Sequence, residues 1–154
     1  YDGYRQIKGY EKKIPELFKY VQFSMATAET AKYFPNVPWL DYVDVHTWRK
    51  EEFDILEATL EMFKKETILD LLQNFIFVRE EKGKTNKVIA RYMQYRAANK
   101  IFDRVIDNLQ GKTEKNSGLI WHWQGSGKTL IMVFTAYKLF KHKILENPSI
   151  FFIL

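Results

Sequence analysis

Residues 118–132 read GLIWHWQGSGKTLIM. A short apolar run enters the stretch, Gly125 and Gly127 flank Ser126, and Lys128-Thr129 opens a second apolar run. Few folds accommodate a bend of this kind between two apolar segments. Glycines let successive backbone N–H groups converge on phosphate oxygens, and a helix starting at the bend adds its own favourable polarity. Lys128 is then expected to reach the β- and γ-phosphates of a nucleotide, and Thr129 to ligate Mg²⁺ through its hydroxyl. The usual spacing, Gly-x-x-x-x-Gly-Lys-[Ser/Thr], puts a glycine where His122 stands here, but Gly125 supplies a second flexible point.

The bend dictates its surroundings. Residues 119–121 read as a buried strand, 128–143 as a helix, Asn147-Pro148 as a turn, and 150–154 as a second apolar strand. Strand, helix, strand with continuous apolar strands points to a parallel sheet covered on both faces.

Upstream, residues 4–18 suit a helix closing near Pro15. Residues 20–27 alternate with Val21, Phe23 and Met25 on one face, a half-buried strand that can hairpin into 30–34. A loop follows to His46. Thr47 can cap a long amphipathic helix bearing Phe53, Leu56, Leu60 and Phe63 at helical spacing. Thr67 to Asp70 resembles a capping box for a second helix with Ile68, Leu71, Leu72 and Phe75. The polar stretch 79–86 is the best boundary in the chain. Beyond it, 87–91 reads as extended, and Ala98, Ile101, Phe102, Val105, Ile106 and Leu109 mark another helix.

Composition limits the partners. With 154 residues, 46% of them apolar, there is enough for one ordinary domain or two incomplete ones. A net charge of +5 permits a polyanionic partner without requiring one, since lysine clusters also serve as solvated faces. There is no cysteine, and His46, His122 and His142 lack metal-ligand spacing. No run reaches the ~18 apolar residues of a membrane span and no signal peptide is visible, so no membrane partner and a cytoplasmic location are expected. The chain starts at Tyr1 and stops within an apolar run, which fits a piece of a longer polypeptide.

Residues 89–99 read IARYMQYRAAN. A glutamine amide donates and accepts at once, so Gln94 can pair with the N6/N7 edge of adenine. Taken alone it fits an ordinary surface glutamine; opening a helix ahead of the phosphate loop, it fits an adenine reader. RYMQYRAANK followed by GLIWHWQGSGKTLIM resembles the Q motif and motif I of superfamily 2 helicases. With Trp121, His122, Trp123 and Gln124 it resembles the R subunit of type I restriction enzymes. The N-terminal QIKGY, with Gln6 and Tyr10 four apart, is similar to the Gln-x-x-x-Tyr element of that family's nuclease domain, and IPELFKYVQFSMAT resembles its continuation.

The resemblance implies an α/β chain in three parts. Residues 1–46 would be the tail of a PD-(D/E)xK-type nuclease domain, 47–83 a helical connector, and 84–154 the start of a RecA-like parallel-sheet motor lobe. It implies ATP and Mg²⁺ as cofactors, contacted by Arg91, Gln94, Gln124, Gly125, Ser126, Gly127, Lys128 and Thr129. Gln6 and Tyr10 would support the nuclease site or touch the DNA backbone, with plain packing of Tyr10 an equal alternative. The implied activity is ATP-dependent translocation of double-stranded DNA coupled to its cleavage, in a complex with methyltransferase and specificity subunits. The nuclease carboxylates and the motor's Asp-Glu pair are not recognisable, so the span alone is expected to be inactive. Three readings compete: another superfamily 2 DNA or RNA helicase, a nucleotide-binding regulatory module that does not hydrolyse, and a basic nucleic-acid-binding module.

Overall fold

A computed structural model describes residues 2–49, 54–81 and 83–153, which form two compact units, 1–92 and 93–154.

The first unit opens with helix α1 (Asp2–Lys13), separated by Ile14 from the short helix α2 (Pro15–Phe18). Proline disfavours helical backbone in the residue before it yet suits the first position of a helix, so one residue both stops α1 and starts α2. Strands β1 (Phe23–Thr27) and β2 (Ala31–Pro35) form the expected antiparallel hairpin, with Phe23 opposite Pro35 and Thr27 opposite Ala31. Strand β3 (His46–Thr47) adds to the free side of β2. Thr47 is therefore a sheet residue and not a helix cap. The cap is Asp54, whose carboxylate accepts from the Leu56 N–H at 3.1 Å and opens α3 (Ile55–Met62).

The apolar periodicity of α3 misled as to its inner face. Ala58 and Met62 are buried, whereas Leu56, Leu60 and Phe63 are exposed, and Phe53 lies outside the described residues. Helix α4 (Lys65–Asn74) starts two residues before Thr67, so the expected capping box sits inside the helix; Leu71 and Phe75 point inward while Leu72 is exposed. Strands β4 (Ile76–Glu81) and β5 (Lys84–Ile89) pair antiparallel from Ile76 opposite Ile89 to Glu81 opposite Lys84. The polar stretch 79–86, read from sequence as a boundary, is the turn end of this hairpin. Polarity there reflects strand ends exposed to water, a composition shared by linkers and hairpin tips.

A polar network lies inside this unit. Lys8 pairs with Glu11 and donates to the Val37 carbonyl at 3.0 Å. The other Glu11 oxygen accepts from Asn36 Nδ2 at 2.7 Å, and Asn36 Oδ1 accepts from Ser24 at 3.0 Å. Lys8, Glu11 and Asn36 are all buried, and each charge or amide is answered by another, which is what makes their burial tolerable. The network ties α1 to the end of β2, where the chain turns into the loop.

His46 gives the unit a pH dependence. Burial, and then the Arg91 cation, hold its imidazole below the ordinary value of 6.5, with Asp44 opposing. A folded-state value below the unfolded one means the unfolded chain takes up the proton first as pH falls. The associated stability is present above about pH 6.5 and is lost on acidification through and below that value. Thermal unfolding between about pH 7.5 and 5.5 should show that slope, and His46→Gln should flatten it. An equal slope in both proteins would exclude His46 as its source.

The second unit consists of helix α5 (Tyr92–Leu109, beginning at the preceding unit's last residue), a loop, helix α6 (Lys128–Lys141) and a 3₁₀ turn at Lys143–Leu145. Ala97, Ala98 and Ile106 of α5 and Ile131 and Phe134 of α6 are buried. Arg104 donates to the Ser117 carbonyl at 2.8 Å and Asn108 to the Thr113 carbonyl at 3.0 Å, fastening the polar loop to α5. The expected parallel strands are not formed. Residues 119–121 and 150–153 are irregular, with Trp121 89% and Ile153 95% exposed, and every strand pair among the described residues is antiparallel. A strand buried on both faces needs a ladder partner and cover from two sides, and neither segment has these among the described residues. No described helix is long and apolar enough to cross a membrane.

Candidate functional site

The loop ahead of α6 is built as its sequence requires. Gly125 and Gly127 take φ of +79° and +82°, a left-handed backbone that other residues adopt only with strain. Ser126 N–H donates to the Trp123 carbonyl at 3.3 Å, closing a turn, and Gly127 then caps the helix. The first turn of α6 directs backbone N–H groups toward the bend, since the first N–H groups of any helix have no acceptor within it.

Three side chains define the interior of the bend. Lys128 folds back and donates to the carbonyls of His122 and Trp123, at 3.1 Å each. Gln94, from the first turn of α5, donates to the Ser126 carbonyl at 3.1 Å and to that of Gly127 at 3.5 Å. It is only 2% exposed, so it is not the surface glutamine that the residue type allows. Ser126 is 6% exposed, and its hydroxyl has no hydrogen-bond partner among the described residues. A buried hydroxyl with no acceptor among the described residues and a cation resting on neutral carbonyls are donors open to a stronger, anionic acceptor. Thr129 and Gln124 are exposed at the rim, with the Thr129 hydroxyl on the first turn of α6.

The structure thus brings together Gln94 and residues 124–129, all in the second unit. Arg91 belongs to the first unit, as the exposed residue just before α5, where its charge acts on His46. Gln6 and Tyr10 are paired on α1, Gln6 Nε2 donating to the Tyr10 hydroxyl at 2.8 Å, with both side chains exposed. Among the described residues no cluster of three or more His, Asp or Glu side chains is placed to hold a metal ion. Sequence reading missed the carbonyls of His122 and Trp123 as the resting acceptors of Lys128, because backbone groups leave no trace in side-chain patterns.

The SWI2/SNF2 ATPase family matches residues 93–154, the same span as the second compact unit. Over nearly its whole length the chain is also similar to curated endonuclease subunits. It is 37% identical over 158 aligned positions to the MjaVIIIP type I restriction enzyme endonuclease subunit of Methanocaldococcus jannaschii, covering 97% of this chain and 15% of that protein. To the MjaVIIP endonuclease subunit of the same organism it is 38% identical over 165 positions, covering 99% and 15%. To the HindI endonuclease subunit of Haemophilus influenzae it is 32% identical over 159 positions, covering 96% and 15%. The chain spans about 15% of the length of these curated relatives. Identity of 32–38% to these proteins over nearly the whole of this chain makes it a member of the type I restriction enzyme endonuclease subunit family.

Proposed function

We propose that the chain is the joining segment of a motor-nuclease subunit, in which ATP drives translocation along double-stranded DNA and so leads to cleavage of unmodified foreign DNA. Its first part would end the nuclease domain and its second part would begin the first motor lobe. Double-stranded DNA and the methyltransferase and specificity subunits of a restriction-modification complex would be its partners. The observation that carries this reading is the bend at residues 122–129, where Lys128 rests on two neutral carbonyls, Ser126 has a buried hydroxyl, and Gly125 and Gly127 take left-handed backbone.

Each residue has a definable task. Gly125 and Gly127 shape the bend, and Lys128 would exchange two neutral carbonyl acceptors for anionic oxygens, a stronger pairing. Thr129 would offer its hydroxyl to Mg²⁺, with Gln124 at the rim and Gln94 toward the base. ATP supplies the free energy of phosphoryl transfer when bound. Gln6 and Tyr10, already paired with each other, would support the nuclease part.

Calorimetry on the intact subunit should detect uptake of ATP in the presence of magnesium, and DNA should stimulate its hydrolysis. Absence of nucleotide uptake would end the proposal; uptake without hydrolysis would favour a regulatory nucleotide module. Gln94→Ala should narrow the preference for ATP over GTP, a base contact of this type being worth ~1–3 kcal/mol. Equal weakening toward both nucleotides would leave Gln94 as a support for the loop alone.

A further inference from the structure

Helix α1 is held to its sheet by polar groups. Its buried residues are Lys8 and Glu11, both charged, where an ordinary amphipathic helix buries an apolar stripe. An apolar stripe gains its free energy from area removed from water and is non-directional, so it tolerates a slide or a roll of the helix. Hydrogen bonds to a buried carboxylate or ammonium do not, because a displaced partner leaves a desolvated charge unanswered. Lys8 Nζ donates to the Glu11 carboxylate and to the Val37 carbonyl, the latter at 3.0 Å, and Glu11 in turn accepts from Asn36 at 2.7 Å. Two adjacent residues directly after β2 thus define one rotational setting for α1.

Two further contacts fix the helix along its axis. At Gly3 a Cβ would come within 2.9 Å of the Ala26 Cβ, so α1 crosses β1 at a separation that a larger residue would force open. Tyr4 packs edge-on against Phe34 with ring centroids 4.8 Å apart. Its hydroxyl accepts from the Val43 N–H at 3.2 Å and donates to the Asp41 carbonyl at 3.3 Å. With about 3.6 residues per turn, Gln6 and Tyr10 fall roughly opposite Lys8 and Glu11. Both are exposed and joined by their 2.8 Å hydrogen bond. The pair therefore stands on a helix whose inner face is specified by directional contacts.

We infer that Lys8, Glu11 and Asn36 are positioning residues of the nuclease part: they set the roll and height of α1 and so where Gln6 and Tyr10 are presented. The inference rests on the proposed role of Gln6 and Tyr10 in supporting that part, and it lies wholly within the first compact unit. A helix rolls or slides as a unit, and a misplacement of about 1 Å at a supporting side chain can lower a reaction rate roughly a hundredfold. The buried charges are thus retained for geometry. For stability alone, an apolar set of similar volume would serve as well.

The test compares variants of the intact subunit in its complex. DNA cleavage is the readout, DNA-stimulated ATP hydrolysis the control for the motor, and hydrogen exchange over residues 2–13 the measure of whether α1 stays packed. Lys8→Met, Glu11→Leu and Asn36→Leu together replace the network by apolar side chains of similar volume. This triple variant should keep α1 protected and ATP hydrolysis within about twofold of the parent, yet cleave DNA at least about tenfold more slowly. Cleavage at the parent rate with α1 protected would overturn the inference, since any packing that holds the helix would then suffice. If the triple variant loses α1 protection, Asn36→Ala decides on the same criteria, with a loss of about threefold or more expected. It removes one contact to Glu11 and leaves the Lys8–Glu11 pair intact. Gln6→Ala and Tyr10→Phe run alongside separate the two claims. If they slow cleavage while the network variants do not, only the positioning role fails; if neither slows it, Gln6 and Tyr10 have no part in the nuclease and the inference falls with that reading.

Discussion

Lys128→Ala should reduce ATP affinity of the intact subunit by roughly ten- to a hundredfold and bring both DNA-stimulated ATP hydrolysis and DNA cleavage to background. The Lys128 ammonium rests on the carbonyls of His122 and Trp123, both neutral acceptors. A polyphosphate offers charged acceptors in their place, and charge-assisted hydrogen bonds are worth ~1.5–3 kcal/mol each. The loss in affinity follows from removing such contacts, with each 1.4 kcal/mol equal to about tenfold. The loss in turnover should be larger, because phosphoryl transfer depends on charge placed where it accumulates and no other lysine is on this bend. Lys128→Arg should recover part of the binding but little turnover, since a planar guanidinium does not reproduce a compact ammonium. DNA cleavage at normal rates by Lys128→Ala, with ATP present, would contradict the motor assignment outright.

Gly127→Ala should weaken ATP binding by on the order of thirtyfold, and clearly more than Gly125→Ala does. Both glycines have left-handed backbone, so each alanine carries a conformational cost of ~1–2 kcal/mol. Their surroundings differ. A Cβ at Gly125 meets nothing nearby, whereas one at Gly127 would collide with the Gln94 amide and push it off the Ser126 carbonyl. That displacement removes a buried hydrogen bond, adding ~0.5–1.5 kcal/mol, and frees the loop from α5. Parallel titrations of the two variants therefore measure the backbone cost and the Gln94 contact separately. Identical losses would show that the amide accommodates the methyl group and that its contact with the loop contributes nothing to binding.

Local features of the fold were well marked in the sequence. The β1–β2 hairpin follows from alternating Phe23 and Met25, the break between α1 and α2 from Pro15, and α6 from the glycines ahead of Lys128. Errors arose where one pattern serves two structures. Leu56, Leu60 and Phe63 recur at helical spacing, and a helix did form, but periodicity does not say which stripe faces inward; Ala58 and Met62 do. Thr47 can cap a helix or pair in a sheet, and the unfilled side of β2 decided for the sheet. The apolar segments 119–121 and 150–153 have strand composition, but a strand exists only through its neighbours.

At the site the division is similar. Gly125, Gly127, Lys128 and Thr129 fall within five successive residues, so their nearness to one another was evident from order alone. By itself, then, the sequence determined the bend, its cation and the helix behind it, because left-handed backbone and a helix start are local demands that particular residues meet. Tertiary structure alone decided that Gln94 is buried against the loop carbonyls, that the Ser126 hydroxyl has no partner among the described residues, and that Tyr33 and Trp48 pack around residues 90–92. Those contacts join residues far apart along the chain, and their geometry comes from packing, which no local pattern records.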